Sequence, residues 1–162
     1  MLKYALIILI ATVVVACDSN IVVGEMRELP GSWHKDETLQ FELPVLDSLK
    51  QYNIFLHLRN TNDYPYNNIF LIATIEFPYG KTVTDTLEYR MAAPDGTWLG
   101  TGIGMVKESK LWYKEGVQFF EDGMYTLTIS QAVRNIGEVH GVSQLDGIIE
   151  VGYSIEEANL EE

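Results

Sequence analysis

The sequence predicts an all-β fold: a single antiparallel β-sandwich domain, jelly-roll-like, following a lipoprotein signal peptide. Three observations carry this. Apolar residues in the body of the chain alternate with period two and rarely with period 3.6. The alternating runs are short, and turn chemistry separates them at close intervals. No internal repeat, second domain or low-complexity linker interrupts the pattern.

The first sixteen residues differ in kind from the rest. Lys3 supplies a positive n-region and residues 5–15 an apolar h-region. That stretch is too short for a spanning helix, which needs about 20 apolar residues. It ends in Val14-Val15-Ala16-Cys17, the pattern of a bacterial lipobox. Ala16 is small enough for a signal peptidase, and Cys17 supplies the thiol that is joined to diacylglycerol. Cys17 is the only cysteine of the chain, and an unpaired thiol in an exported protein calls for such an explanation. Residues 1–16 are therefore read as signal peptide and 17–32 as a lipidated N-terminus and linker with a first strand around residues 22–26. Residues 33–156 form the sandwich and 157–162 an acidic, flexible tail.

Processing leaves about 145 residues, enough for one domain with its own core. The formal charge is −12, and loss of Lys3 brings it to −13. So acidic a protein lacks the basic face that nucleic acid requires. It is also repelled by anionic headgroups, so the lipid on Cys17 must do the anchoring. Asp18 bears on sorting: in enteric bacteria an aspartate there retains a lipoprotein in the inner membrane, but the rules differ between phyla. The periplasmic leaflet of the outer membrane is the favoured seat, with the inner membrane left open.

Residues 38–43 place Leu39, Phe41 and Leu43 on one face. In 52–59, Ile54, Leu56 and Leu58 face in while Asn53, His57 and Arg59 face out. Residues 69–77 are apolar on nearly both faces and read as a central strand covered on both sides. In 83–91, Leu87 and Tyr89 point inward. Tyr125, Leu127 and Ile129 alternate with threonine and serine. Ile149, Val151, Tyr153 and Ile155 make the last strand. Gly80, Pro94-Asp95-Gly96 and Asp122-Gly123 supply turns, and 60–68 is a long polar loop stiffened by Pro65.

Catalytic chemistry finds little purchase. His34, His57 and His140 lack metal-ligand spacing. Cys17 is consumed by lipid, and no serine sits in a nucleophile elbow. Carboxylates are plentiful enough for a glycosidase pair on count alone. Asp85, on the core-side phase of its strand, is read instead as a structural side chain bonded to backbone near a strand end or bulge. Gly100-Thr101-Gly102-Ile103-Gly104 is not followed by the amphipathic helix a dinucleotide loop needs, so its glycines serve a bulge or a close approach. The 60–68 loop offers oxygens to calcium but no EF-hand pattern. The expectation is no cofactor, no metal and no enzyme.

Trp33, Trp98, Trp112, Tyr64, Tyr66 and Tyr113 either plug the ends of the sandwich core or, where exposed, stack on sugars or anchor a protein partner.

Cys17-Asp18-Ser19-Asn20, Trp33-His34-Lys35-Asp36, Tyr52-Asn53-Ile54-Phe55, Asn62-Asp63-Tyr64-Pro65-Tyr66-Asn67-Asn68, Asp85-Thr86-Leu87-Glu88-Tyr89, Asp95-Gly96-Thr97-Trp98-Leu99-Gly100 and Gln131-Ala132-Val133-Arg134 follow one another in an order that resembles the gliding-motility lipoprotein H family (GldH) of the Bacteroidota. Leu58-Arg59-Asn60 and the closing Gly147-Ile148-Ile149-Glu150-Val151-Gly152 fit as well. The resemblance implies a non-enzymatic envelope component of the gliding machinery, tied in this phylum to type IX secretion. Its partners would be other envelope proteins of that apparatus, and relatives occur in non-motile species too. No catalytic residue is implied. The residues singled out for partner binding are Asn62, Tyr64, Tyr66, Asn67 and Trp98, because a stiffened loop rich in amides and phenols offers rigid contact groups. The rival expectation is a carbohydrate-binding module or a carbohydrate-active envelope protein.

Overall fold

The computed structural model describes residues 20–158. The signal peptide, Cys17 and residues 159–162 lie outside that range. The elements are β1 (Ile21–Glu28), β2 (Ser32–His34), β3 (Leu39–Leu43), β4 (Tyr52–Asn60), β5 (Asn68–Glu76), β6 (Thr82–Arg90), β7 (Lys107–Val117), β8 (Tyr125–Gln131), β9 (Gln144–Asp146) and β10 (Ile148–Glu157), with no helix among the described residues. All pairings are antiparallel.

Period-two alternation dictates the layering. Leu39, Phe41 and Leu43 of β3 are buried between exposed Gln40 and Glu42, and Tyr125, Leu127 and Ile129 repeat the pattern in β8. Strands with one apolar face must bury it on another sheet, and two four-stranded sheets do so here. Their orders are β1-β10-β4-β7 and β3-β8-β5-β6, with β2-β9 as a small additional pair. Every connection between successive long strands crosses from one sheet to the other, except the β5–β6 hairpin. That is the double Greek-key wiring of a jelly roll. One apolar cluster joins the inner faces, with Phe41 of β3 edge-on to Tyr153 of β10 at 5.3 Å. Each fully buried Leu or Ile in it contributes about 1.5–3 kcal/mol relative to exposure.

Two strand readings need correction. β5 is central, between β8 and β6, but only its inner face is fully covered: Ile69, Leu71, Ala73 and Ile75 are buried, whereas Phe70, Ile72 and Thr74 are half-buried. Among the described residues no third layer lies over that sheet, and neighbours such as Thr86 and Ser130 shield Ile72 only sideways. In β10 a register shift between Ile148 and Glu150 turns Ile148 into the core and leaves Ile149 half-exposed.

The wiring sorts the loops to two ends. Residues 29–38, 61–67, 91–106 and 132–147 gather at one end, tied by Lys35 N to Ser143 O (2.9 Å), Thr61 N to Gly147 O (2.8 Å) and Gly147 N to Gly31 O (3.0 Å). Residues 44–51, 77–81 and 118–124 gather at the other, together with Asn20 and Ala158. There Glu157 N donates to Asn20 O (3.1 Å) and Ala158 N to Gln51 O (2.8 Å), and the Glu157 carboxylate pairs with Lys50 at 2.8 Å. Glu157 and Ala158, the first two residues of the expected tail, are thus bonded to the domain.

Candidate functional site

The polar loop 61–67 builds itself from its own side chains. Thr61 Oγ1 accepts from Asp63 N at 3.2 Å, and Tyr64 N closes the turn on Thr61 O at 3.3 Å. The Asn67 carbonyl accepts from Met91 N (2.7 Å) and Ala92 N (3.0 Å), which fastens the loop to the excursion that follows β6. That excursion turns at Asp95-Gly96, where Gly96 takes φ +86° and Asp95 Oδ1 accepts from Thr97 N at 3.0 Å. The hydrogen bond from Thr97 holds the Asp95 carboxyl below its ordinary pKa. Trp98 is thereby returned beside Ala92.

Four of the five residues singled out from the sequence meet here. Tyr64 is the hub: its ring is 3% exposed, lies 5.8 Å from Tyr66 and 6.2 Å from Trp98, and its hydroxyl donates to Asn68 O at 2.7 Å. Burial pushes the Tyr64 phenol well above its ordinary pKa, so it stays a neutral donor. Tyr66 and Trp98 are half-buried against it. Trp98 Nε1 donates to Asn62 Oδ1 at 3.0 Å, and Tyr66 Oη donates to Asn135 Oδ1 at 2.8 Å, which brings in the 132–147 loop. Asn67 is exposed and instead lines a polar cleft of about 400 Å³ with Asn68, Glu88 and Arg90. Tyr64 is therefore a packing residue, while Asn62, Tyr66, Asn67 and Trp98 present surface.

Of the remaining aromatics, Trp33 is wholly buried and Tyr113 nearly so, whereas Trp112 is 49% exposed and edge-on to Phe55 at 4.5 Å. Sequence reasoning passed over the fully exposed Ile103 and Ile136, as well as Met105 and Val139, on loops at the same end as Tyr66 and Trp98. Ile103 lies within, and Met105 directly after, a glycine run whose close approach was expected. A Cβ on Gly100 would stand 2.8 Å from Glu108 O, and one on Gly102 would stand 2.6 Å from Val106 O.

Strand β7, which the sequence reading missed, brings a second polar group to the outer face of its sheet. Arg59 of β4 binds Glu108 and Glu150, each at 2.8 Å. His57, read as a partly exposed side chain, is 12% exposed; its Nε2 lies 2.8 Å from Ser154 Oγ and its Nδ1 3.5 Å from Glu108. Burial lowers the His57 pKa, outweighing the opposing pull of Glu108. The sign follows: between the folded value and the ordinary one near 6.5 the unfolded chain binds the extra proton. Stability from this group is complete above that ordinary value and declines as pH falls below it. Urea midpoints measured from pH 7.5 down to 5 should fall for the wild type and fall less for His57→Gln; parallel curves would contradict this.

Asp85 is a correction. It sits in mid-strand opposite Ala73, and its partners are side chains of β7: Lys114 Nζ at 2.8 Å and the Tyr113 hydroxyl, which donates at 3.1 Å. Tyr89 adds a bond from its hydroxyl to Trp112 O at 2.7 Å, and burial beside Asp85 pushes its phenol up to about 12. These contacts join β6 to β7, the two strands that end their respective sheets.

The comparisons with known proteins accord with this arrangement of segments. The family model of the GldH lipoprotein matches residues 21–155. A gliding motility lipoprotein GldH homolog of Christiangramia forsetii is 48% identical over 158 residues, spanning 96% of this chain and 97% of that protein. The gliding motility lipoprotein GldH of Flavobacterium johnsoniae is 50% identical over 152 residues, spanning 94% of each. Among solved structures, a chain of the infectious bursal disease virus Gx strain aligns with a TM-score of 0.32 and 13% identity over 86% of this chain and 33% of that one, too slight a likeness to bear on fold or function. Near-complete coverage at about half identity, on top of a family match across almost the whole β domain, places the chain: it belongs to the GldH family of gliding-motility lipoproteins, lipid-anchored proteins of the cell envelope.

Proposed function

We propose that the mature chain, lipidated on Cys17 and seated in the periplasmic leaflet of the outer membrane, is a non-catalytic component of the gliding and type IX secretion machinery. It captures an envelope protein through Asn62, Tyr66, Asn67 and Trp98. The observation that carries this reading is the convergence of Asn62, Tyr66 and Trp98 around Tyr64 at the end of the domain away from Asn20. Half-buried aromatics held by hydrogen bonds lose little side-chain entropy on docking, which is what makes tyrosine and tryptophan effective contact groups. Exposed Ile103, Met105, Ile136 and Val139 extend the same end with apolar surface. Tyr66 and Trp98 lean on Tyr64 at interplanar angles of 67° and 43°.

The test is crosslinking in native envelopes followed by pull-down through the mature domain. Tyr66→Ala combined with Trp98→Ala should keep the wild-type unfolding midpoint to within a degree or two of temperature. It should reduce recovered partner by roughly 30-fold or more, as expected for a contact group worth about 2 kcal/mol. Undiminished recovery sinks the assignment of these residues. Recovery of only lipids and porins by the wild type sinks the reading as a whole.

A further inference from the structure

The opposite end of the jelly roll bears groups that partner capture leaves unused. Val45 and Leu49 on loop 44–51, Tyr79 on loop 77–81, and Phe120 and Met124 on loop 118–124 are 83%, 88%, 75%, 65% and 56% exposed. Single apolar residues in water need no explanation. Five large ones on three neighbouring loops at one end form a set, and the loops that carry them are braced. Asp47 Oδ1 accepts from Leu49 N at 2.9 Å, and Asp47 N donates to the Tyr52 hydroxyl at 3.2 Å. Tyr79 N donates to Glu121 Oε2 at 3.1 Å, and Glu121 N to the Tyr125 hydroxyl at 3.0 Å. The Phe77 ring lies 6.4 Å from Phe120 and 5.1 Å from Tyr125. Loops 44–51 and 118–124 share the walls of one small groove.

A second, independent observation says what these tips meet. Asn20 is bonded to this same end, through Glu157 N at 3.1 Å. Only Asp18 and Ser19 separate it from Cys17, so the lipid-bearing Cα lies within about 11 Å of Asn20, the reach of three extended Cα-to-Cα steps. A membrane holding the acyl chains is therefore held within a loop's length of the apolar tips.

We infer that loops 44–51, 77–81 and 118–124 insert their apolar tips into the headgroup–acyl boundary of the leaflet that holds the Cys17 lipid, so that the domain stands on the bilayer in one orientation. This rests on the lipid-anchor reading above. Aliphatic and aromatic side chains gain by leaving water at that boundary. Lys81 can run its stem along the apolar surface and keep its charge at the phosphates. With Lys50 and Glu157 paired, Asp47, Glu121 and Asp122 leave a negative excess at this end, so zwitterionic headgroups suit it better than anionic ones.

Acylation occupies the only native cysteine, so a single introduced thiol can be labelled alone. The full lipidated protein carrying Leu49→Cys, Phe120→Cys, Ile103→Cys or Ile136→Cys is given a nitroxide and reconstituted into phosphatidylcholine vesicles. Collision with oxygen relative to an aqueous nickel chelate should be several-fold higher at positions 49 and 120 than at positions 103 and 136. A label at Met124→Cys should fall to the aqueous value when Val45, Leu49 and Phe120 are all changed to glutamate, with far-ultraviolet circular dichroism unchanged. Flotation with the vesicles combined with equal, aqueous accessibility at all four positions overturns the inference and leaves the anchor standing. Failure to float removes the anchor and the inference with it.

Discussion

Replacing Tyr64 by alanine is expected to cost about 3–5 kcal/mol, the range for deleting a fully buried aromatic ring. In a domain of this size that lowers the melting temperature by roughly 10–15 °C. The ring is 3% exposed and supports both Tyr66 and Trp98, so its loss opens a cavity beneath the proposed docking surface. Tyr64→Phe keeps the ring and removes only the hydrogen bond to Asn68 O. It should cost about 1 kcal/mol. Equilibrium unfolding in urea measures both. A Tyr64→Ala midpoint close to wild type would mean that the ring is surface and not support. The three aromatics thus divide into one that holds the site up and two that face outward, and only the latter pair tests binding without confusing it with folding.

Gly147→Ala is expected to be comparably severe, at about 2–5 kcal/mol. Part is backbone: Gly147 has φ +79°, and an L-residue there pays about 1–2 kcal/mol. The larger part is collision, since a Cβ would stand 2.2 Å from Tyr64 N and 2.7 Å from Tyr64 Cα, both fixed backbone atoms. Displacing packed groups in this way costs about 1–3 kcal/mol. Gly147 also accepts from Thr61 N and donates to Gly31 O, so three loops move with it. Gly137→Ala serves as the internal control: it shares a positive φ of +85° but meets nothing within 4 Å. Calorimetry should show the Gly137 variant losing only the backbone part. Equal losses in the two would refute the crowding argument.

How much of this was legible in the sequence depends on which faces each strand shows. β3 and β8 alternate because one face is core and the other more open, and β4 does so except at Phe55, buried on its outer face; the inward residues of all three were read correctly. β7 escaped because Glu108, Lys110 and Lys114 occupy its outer phase, while its inner phase runs from Lys107 to Glu115 and carries Ser109 beside Leu111 and Tyr113. β2 and β9 have three residues each, too few for any period to show. The shift at Ile148 was invisible because Ile148 and Ile149 are equally apolar and only a bulge decides between them. At the candidate site, the proline-stiffened loop with its tyrosines pointed to the end where Asn62, Tyr64, Tyr66 and Trp98 meet. Tyrosine suits both core and surface, so composition could not divide Tyr64 from Tyr66. Gly147 carried no local signal, because the atoms it makes room for lie more than eighty positions earlier in the chain.

The pairing of β1 with β10 has a mechanical consequence. β1 leaves the lipid-anchored end at Ile21 and runs toward the end that carries Tyr66 and Trp98, antiparallel to β10 through Glu28. Its hydrogen bonds lie perpendicular to that direction. If a partner is gripped at the far loops as proposed, tension between it and the anchored N-terminus pulls along the strand and not across it. The ladder from Ile21 to Glu28 is then strained in shear, with its bonds sharing the load together, instead of being peeled open one bond at a time.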